Sequence, residues 1–501
     1  MRLLLAFAVL AAAPPGNEET FKAELGIAIQ NFDRYAADKA SAGLAKCNTE
    51  GVAPALAAAY HKGLVFLLDY EKQRKKWARE MVAHETLRDK SGKLIQEGDS
   101  IKWIQARKEF NAFMIREETM NALLPRVLGN MSKISSPEAA RGAIEVLKTD
   151  DDWVARAYAA EALGNIDDPA ALKALLDAGR AEKAESVKVA ISDALGRKSK
   201  GSEDARKLLM DWLSTSTLWQ VRLASAQALT ASGDKSVVLP LITAIAKERG
   251  RMKWEINDGL KKLTRVDKSG DPAAWKSWWD KFGDDFLFGN YQPGPLDGQE
   301  KRTVTSFYGL RLNSEHVAFL VDVSASMNET AQWKSEFQPG EPKPEGDRRI
   351  DIARYELKRA INGLPDNAEF SLVRIGSKAT PIRGQLLRSG AGSRGDAISF
   401  MNQTEVTLGT DIFGAFRKAF EWTGGAWNAP LTPNSLDTLY LISDGDPTVG
   451  LTDRPQLVER VIDTFHFKKV LVHCVAISPP GHGVLVLKGI SDGTRGDFIR
   501  R

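Results

Sequence analysis

Cysteine, histidine and long apolar runs are scarce in this 501-residue chain, and each scarcity excludes something. The two cysteines, Cys47 and Cys474, fall in stretches that read as different domains, and Cys474 sits in the apolar run 470–477. Two free, buried thiols are therefore expected, not a disulfide. The six histidines, His61, His84, His316, His466, His473 and His482, form no His-Glu-x-x-His pair. Nor is there a Gly-x-Ser-x-Gly elbow or a Gly-Lys-Ser/Thr phosphate loop, so the commonest hydrolase and nucleotide-binding signatures are missing. The formal net charge of +4 is small for the length and gives no reason to expect nucleic acid as a partner. No run reaches the ~20 apolar residues needed to span a bilayer. The run Leu3–Leu10, preceded by Arg2 and followed by Ala11-Ala12-Ala13, instead has the pattern of a secretory signal over residues 1–16. It predicts a soluble mature protein outside the cytoplasm, either periplasmic or secreted.

What is abundant is helix-forming sequence. Residues 17–133 are rich in Ala, Leu, Lys and Glu and poor in Pro. Phe21, Leu25, Ile29 and Phe32 recur at helical spacing, as do Leu56, Tyr60, Leu64, Leu67 and Leu68. The basic patch Lys72–Arg79 reads as a solvated helix face, with binding to acidic polymers as its functional alternative. Ser91-Gly92 and Gly98 mark a turn between two long helices.

Residues 134–268 carry an internal repeat. Ala162-Leu163, Ala194-Leu195, Ala228-Leu229 and Gly259-Leu260 are spaced by 32, 34 and 31 residues, and a basic residue (Arg156, Lys188, Arg222, Lys253) stands seven positions before each Leu. Small residues fill the stripe between, which lets helix pairs stack closely in a solenoid. The pattern resembles HEAT repeats. Trp275, Trp278, Trp279 and Phe282 then form one face of a helix that caps the solenoid or docks the next domain. The Gly- and Pro-rich stretch 289–299 completes a linker region, 269–303.

From residue 304 to 501 the pattern alternates strand and helix, as in an α/β doubly wound, Rossmann-like sheet. The apolar run Val317–Val321 predicts a strand buried on both faces, and it leads into Asp322-Val323-Ser324-Ala325-Ser326. In such a sheet, ligands bind at the carboxyl ends of the strands. One carboxylate and two hydroxyls there are oxygen donors suited to a hard divalent cation such as Mg²⁺. Two later stretches add Thr410, in a Gly-containing loop opening a helix, and Asp444, where the strand Thr438–Ile442 runs into Ser443-Asp444-Gly445.

Together these residues resemble the von Willebrand factor type A domain and its metal-ion-dependent adhesion site, whose pattern is Asp-x-Ser-x-Ser, a distant Thr and a later Asp before Gly. Asp322, Ser324, Ser326, Thr410 and Asp444 match all five places in order. The resemblance implies that Ser324, Ser326 and Thr410 bind the cation directly, and Asp322 and Asp444 directly or through water. It implies Mg²⁺, with Mn²⁺ or Ca²⁺ as substitutes. Ala325 replaces a frequent Gly, and the chain ends after a predicted strand at 497–500, where the family usually adds a helix. The Arg-Gly-Asp tripeptides at 394–396 and 495–497 read as coincidence.

Only two of the five side chains are anionic, so a bound cation keeps electrophilic character and can accept a carboxylate from a partner. The expected function is therefore not enzymatic. It is capture of a protein partner through an exposed acidic side chain, with the repeats as interaction scaffold. The alternatives are an assembly scaffold or accessory subunit of an envelope complex in which the metal site is secondary, and a Mg²⁺-dependent hydrolase.

Overall fold

A computed structural model describes residues 18–88, 94–292, 306–331, 344–403, 406–477 and 481–500. The signal-like leader lies outside the described residues, as do most of the linker and residues 332–343 of the long loop after Ser326. The chain divides into two compact units, Met1–Glu182 and Lys183–Arg501. Both cysteines are free and buried.

The first unit is helical. Helices α1 (Glu18–Asn31) and α2 (Arg34–Cys47) precede two long helices, α3 (Val52–Ala83) and α4 (Ser100–Gly129), joined through the short antiparallel strands β1 (Leu87–Arg88) and β2 (Leu94–Gln96). Asp33 and Asp99 cap α2 and α4 by accepting backbone N–H groups of the first turn. In α3 the positions Leu56, Tyr60 and Leu67 are buried as their spacing predicts, but Leu68 is exposed. It stands one residue after Leu67, about 100° round the helix, and so leaves the packed face. Helices α5 (Ala140–Thr149), α6 (Trp153–Asn165) and α7 (Pro169–Ala181) complete the unit.

The second unit opens with α8 (Glu185–Lys198), α9 (Glu203–Thr215), α10 (Trp219–Ser232), α11 (Val238–Ile245), α12 (Gly250–Thr264) and α13 (Pro272–Phe288). The Ala-Leu and Gly-Leu pairs of the repeat fall in α6, α8, α10 and α12, the second helix of each pair. Small residues bring neighbouring second helices together: a Cβ on Gly196 would meet Ala228, and one on Gly259 would meet the Thr230 hydroxyl at 2.5 Å. The basic repeat positions have a structural task. Arg222 donates through Nη1 to the carbonyls of Ser216 and Thr217 at the end of α9 (3.0 and 3.2 Å) and through Nε and Nη2 to both carboxylate oxygens of Glu248, just past α11. In the first unit Arg156 does the same with the carbonyls of Asp150 and Asp151 and the carboxylate of Glu182. Each arginine thus satisfies open carbonyls at one helix end and ties them to the end of the next outer helix. In α13, Trp275 and Trp278 are buried, and the Trp275 indole donates to Asn257 of α12.

The rest of the unit is a doubly wound α/β domain. A short hairpin, β3 (Ser306–Phe307) and β4 (Leu310–Arg311), leads into β5 (His316–Asp322), α14 (Arg349–Asn362), β6 (Glu369–Ile375), β7 (Ala379–Pro381), β8 (Leu387–Arg388) and α15 (Ala391–Asn402). Then follow α16 (Ile412–Trp422), β9 (Thr438–Ser443), α17 (Arg454–Phe465), β10 (Leu471–Ala476), α18 (His482–Thr494) and β11 (Phe498–Arg500). The strand order is β11-β10-β9-β5-β6-β7, with β8 also beside β6. β5, β6, β9, β10 and β11 are parallel, while β7 and β8 are antiparallel, so the sheet is mixed at one edge. Val317, Phe319 and Val321 of β5 point into a core with α14 and α15, and Ala318 and Leu320 into a second core with α16, α17 and α18. Burial on both faces is why β5 reads as an unbroken apolar run.

The helices of this unit grip the amino ends of β9 and β10. Arg251 of α12 donates to the carbonyls of Asp437 and Lys469 at 2.7 and 2.6 Å. Lys469 pairs with Asp193 of α8 at 2.7 Å, and Gln220 of α10 donates to Ser435 and to the Thr432 carbonyl.

Candidate functional site

The strand order reverses direction between β5 and β9, the place where an open α/β sheet leaves a crevice at its carboxyl edge. Asp322 ends β5 there, and Ser443 ends β9 with Asp444 immediately beyond. Asp322 is fully buried. Its Oδ1 accepts the backbone N–H of Ser324 at 2.7 Å, and its Oδ2 accepts the Ser443 hydroxyl at 2.5 Å. Burial first, and the charge of Asp444 second, push the Asp322 carboxyl up to about 6, against the hydrogen bonds from Ser324 and Ser443. Neither Asp322 nor Asp444 forms an ion pair with a basic side chain among the described residues.

Ser324 and Ser326 stand on the short turn after β5, with their hydroxyls 3.0 Å apart. The buried guanidinium of Arg349, at the start of α14, donates to the Ser326 carbonyl and pairs with Glu329, which fixes that turn. Thr410 belongs to a third loop. Its backbone N–H donates to the Thr448 hydroxyl at 2.8 Å, while its carbonyl accepts from Thr448 and Val449 N–H. The same loop is anchored by Thr407 N–H to the Val323 carbonyl and by Asp411 N–H to the Gly376 carbonyl. Gly409, at φ +87°, takes a left-handed turn that a side chain would strain, and a Cβ there would meet Val449 at 2.6 Å.

All five residues of the sequence motif therefore lie at the end of β5 or in loops beyond the strands. Asp322, Ser324, Ser326 and Asp444 form one cluster, and Thr410 is tied into the loop that follows Asp444. Sequence reasoning missed the supporting residues Ser443, Thr448 and Arg349. Ser443 was the most accessible of them, because it directly precedes Asp444 at a strand end. Two carboxylates and three hydroxyls make an all-oxygen donor set of the kind that suits a hard divalent cation. The two Arg-Gly-Asp tripeptides serve the fold. Arg394 lies in α15 and binds Asp366 at 2.8 Å, and Asp497 is held by its N–H to His473 Nδ1 and its carbonyl to Cys474 N–H.

The strand order and the two helical layers resemble those of a von Willebrand factor type A domain, and the helices before them resemble HEAT repeats. The family model for HEAT repeats matches residues 120–196. The chain is similar to inter-alpha-trypsin inhibitor heavy chain H1 of Sus scrofa, 26% identical over 151 residues, which is 30% of this chain and 15% of that protein. It is also similar to inter-alpha-trypsin inhibitor heavy chain H4 of Homo sapiens, 27% identical over 146 residues, covering 29% and 14% respectively. The match thus spans about one-seventh of the length of these relatives. Among solved structures, von Willebrand factor type A from Catenulispora acidiphila aligns at 21% identity and a TM-score of 0.29, covering 38% of this chain and 39% of that one.

Proposed function

We propose that the type A-type domain captures an acidic side chain of a protein partner at a Mg²⁺ site formed by Asp322, Ser324, Ser326, Thr410 and Asp444, and that the helical repeats scaffold this partner. The observation that carries the reading is a buried carboxylate, Asp322, set beside a second carboxylate and two hydroxyls, with no basic side chain among the described residues to neutralise it. Bound there, a divalent cation would supply Lewis acidity toward a partner oxygen while offsetting the charge of both aspartates. The chain's own residues position the donors. Ser443 and the Ser324 N–H orient Asp322, Arg349 holds the Ser326 turn, and Thr448 holds the Thr410 backbone. The reading is of a binding protein that works outside the cytoplasm, not an enzyme. Among the described residues no helix is long and apolar enough to cross a membrane.

The test is calorimetric titration of the purified chain with Mg²⁺, followed by capture of partners from its native compartment with Mg²⁺ or a chelator. Wild type should bind one equivalent, and capture should fail with chelator and with Asp322→Ala. Capture unchanged by both would overturn the metal reading. Turnover of a substrate that needs Asp322 would overturn the non-enzymatic one. The groove between α9 and α11, lined by Met210, Leu213, Leu239 and Lys247 with a volume of about 540 Å³, favours a second reading in which the repeats alone hold a partner. Loss of capture only in variants of that groove would support it.

A further inference from the structure

The outward face of α3 is built differently from an ordinary solvated helix. Its packed positions, Tyr60, Leu67 and Tyr70, are buried, but beyond Tyr70 the helix buries no residue for its last turns. On the opposite face, at alternating spacings of three and four, stand Val65, Leu68, Lys72, Lys75, Arg79 and Val82. That spacing keeps all six on one stripe over ~25 Å of helix. Val65, Leu68 and Val82 are 68%, 64% and 62% exposed, and the three basic residues are exposed as well, Lys75 in an ion pair with Glu71 at the edge of the stripe. At the closed end of the hairpin, Ile101 and Ile104 of α4 also face solvent.

We propose that this face of α3 docks on an anionic lipid surface. Apolar side chains at both ends of a basic stripe match an interface in which hydrocarbon lies just beneath negative headgroups: the Val and Leu side chains enter the acyl boundary, and the Lys and Arg stems reach back to the headgroups. An acidic polymer would use the charges but leave the exposed Val and Leu without a role, and the apolar residues therefore decide between the two. The proposal uses none of the residues of the metal site.

Flotation of the full chain with vesicles tests it. Binding is expected to phosphatidylcholine vesicles containing phosphatidylglycerol, to fall with added NaCl, and to be absent with phosphatidylcholine alone. At about fivefold per basic residue near the surface, Lys72→Gln/Lys75→Gln/Arg79→Gln should weaken binding by roughly a hundredfold. Leu68→Ser/Val82→Ser should weaken it about tenfold or more. Both variants replace exposed side chains, and circular dichroism should show wild-type helix content. If either unfolds, the salt dependence of the wild type and its competition by soluble polyglutamate still give the answer. The proposal is overturned if anionic vesicles do not bind, if NaCl has no effect, if polyglutamate displaces the chain and Leu68→Ser/Val82→Ser binds vesicles as wild type does, or if binding requires Mg²⁺ and Asp322.

Discussion

At the amino edge of the parallel sheet, where β9 and β10 begin, buried charge is matched. Arg251 binds two backbone carbonyls, Lys469 meets Asp193, and the Asp437 carboxylate accepts hydroxyls from Ser314 and Thr438 at 2.6 Å each. At the carboxyl edge, where β5 and β9 end, Asp322 and Asp444 meet hydroxyl and N–H groups and, among the described residues, no basic side chain. The same strand, β9, joins the two environments. The first edge has the chemistry of a permanent contact, in which Arg251, Lys469 and Asp437 each have partners within the fold. The second has an uncompensated negative charge, which a fold retains only at a cost, and an outside cation is the species that would offset it.

The largest expected effect breaks the amino edge. Arg251→Met leaves the carbonyls of Asp437 and Lys469 without their donor and removes a positive charge facing Asp437, and should lower stability by about 3–5 kcal/mol. Urea unfolding of the full chain followed by tryptophan fluorescence checks this. Asp322→Asn, in metal-free buffer, should cost far less, because it removes a buried charge that has no partner. If both variants cost the same, the two edges do not differ as described.

Next is the response to Mg²⁺. At a hundredfold excess over its dissociation constant, a single bound Mg²⁺ should stabilise the wild type by about 2.7 kcal/mol, and Asp322→Asn should abolish the gain while leaving Arg251→Met able to respond. A differential scan with and without chelator measures both. A gain that persists in Asp322→Asn would place the metal elsewhere.

One residue departs from the matching at the amino edge. Lys468 is buried, donates to the carbonyls of Thr423 and Gly425, and has no carboxylate partner among the described residues, so burial lowers its pKa to about 7. Because the folded value lies below the unfolded one, the unfolded chain binds more protons from pH 7 upward toward 10. Stability contributed by this group is therefore lost as pH falls through 7 and grows above it, by at most about 1.4 kcal/mol per pH unit. The neutral amine still has two protons for the two carbonyls. Unfolding at pH 7 and pH 8 should show a rise in wild type that is smaller in Lys468→Met. Equal rises would show that Lys468 stays charged.

The sequence carried β5 and β9 because burial on both faces leaves nearly continuous apolar runs, and the ends of those runs are marked by Asp322 and by Ser443-Asp444. The basic residues of the repeat were visible as a period, but their task, satisfying carbonyls at a helix end and reaching Glu182 or Glu248, depends on contacts 26 residues away. The edge strands β7 and β8 were not legible, since each is two or three residues long and only half-buried. The grip of α8, α10 and α12 on β9 and β10 was invisible for another reason. It uses Asp193, Gln220 and Arg251, polar residues that a sequence-based reading assigns to solvent until their partners some 200 positions on are known.

The smallest effect sharpens the comparison at the carboxyl edge itself. Ser443 is not one of the five motif residues, yet its hydroxyl donates to Asp322 Oδ2 and accepts the Gly445 N–H at 2.9 Å, linking the ends of β5 and β9. Ser443→Ala removes that link without changing the charge or the donor set. Such supporting hydrogen bonds set ligand orientation, and their loss typically weakens metal binding by about tenfold. Because Asp322 would lose one of the groups that stabilise its ionised form while keeping its buried charge, the metal-free fold should not gain from the change. A tenfold rise in the Mg²⁺ dissociation constant of Ser443→Ala, with thermal stability in chelator unchanged or slightly lower, would mark Ser443 as a positioning residue. Unaltered Mg²⁺ affinity would mean that the Asp322 carboxylate is held by β5 and the Ser324 N–H alone.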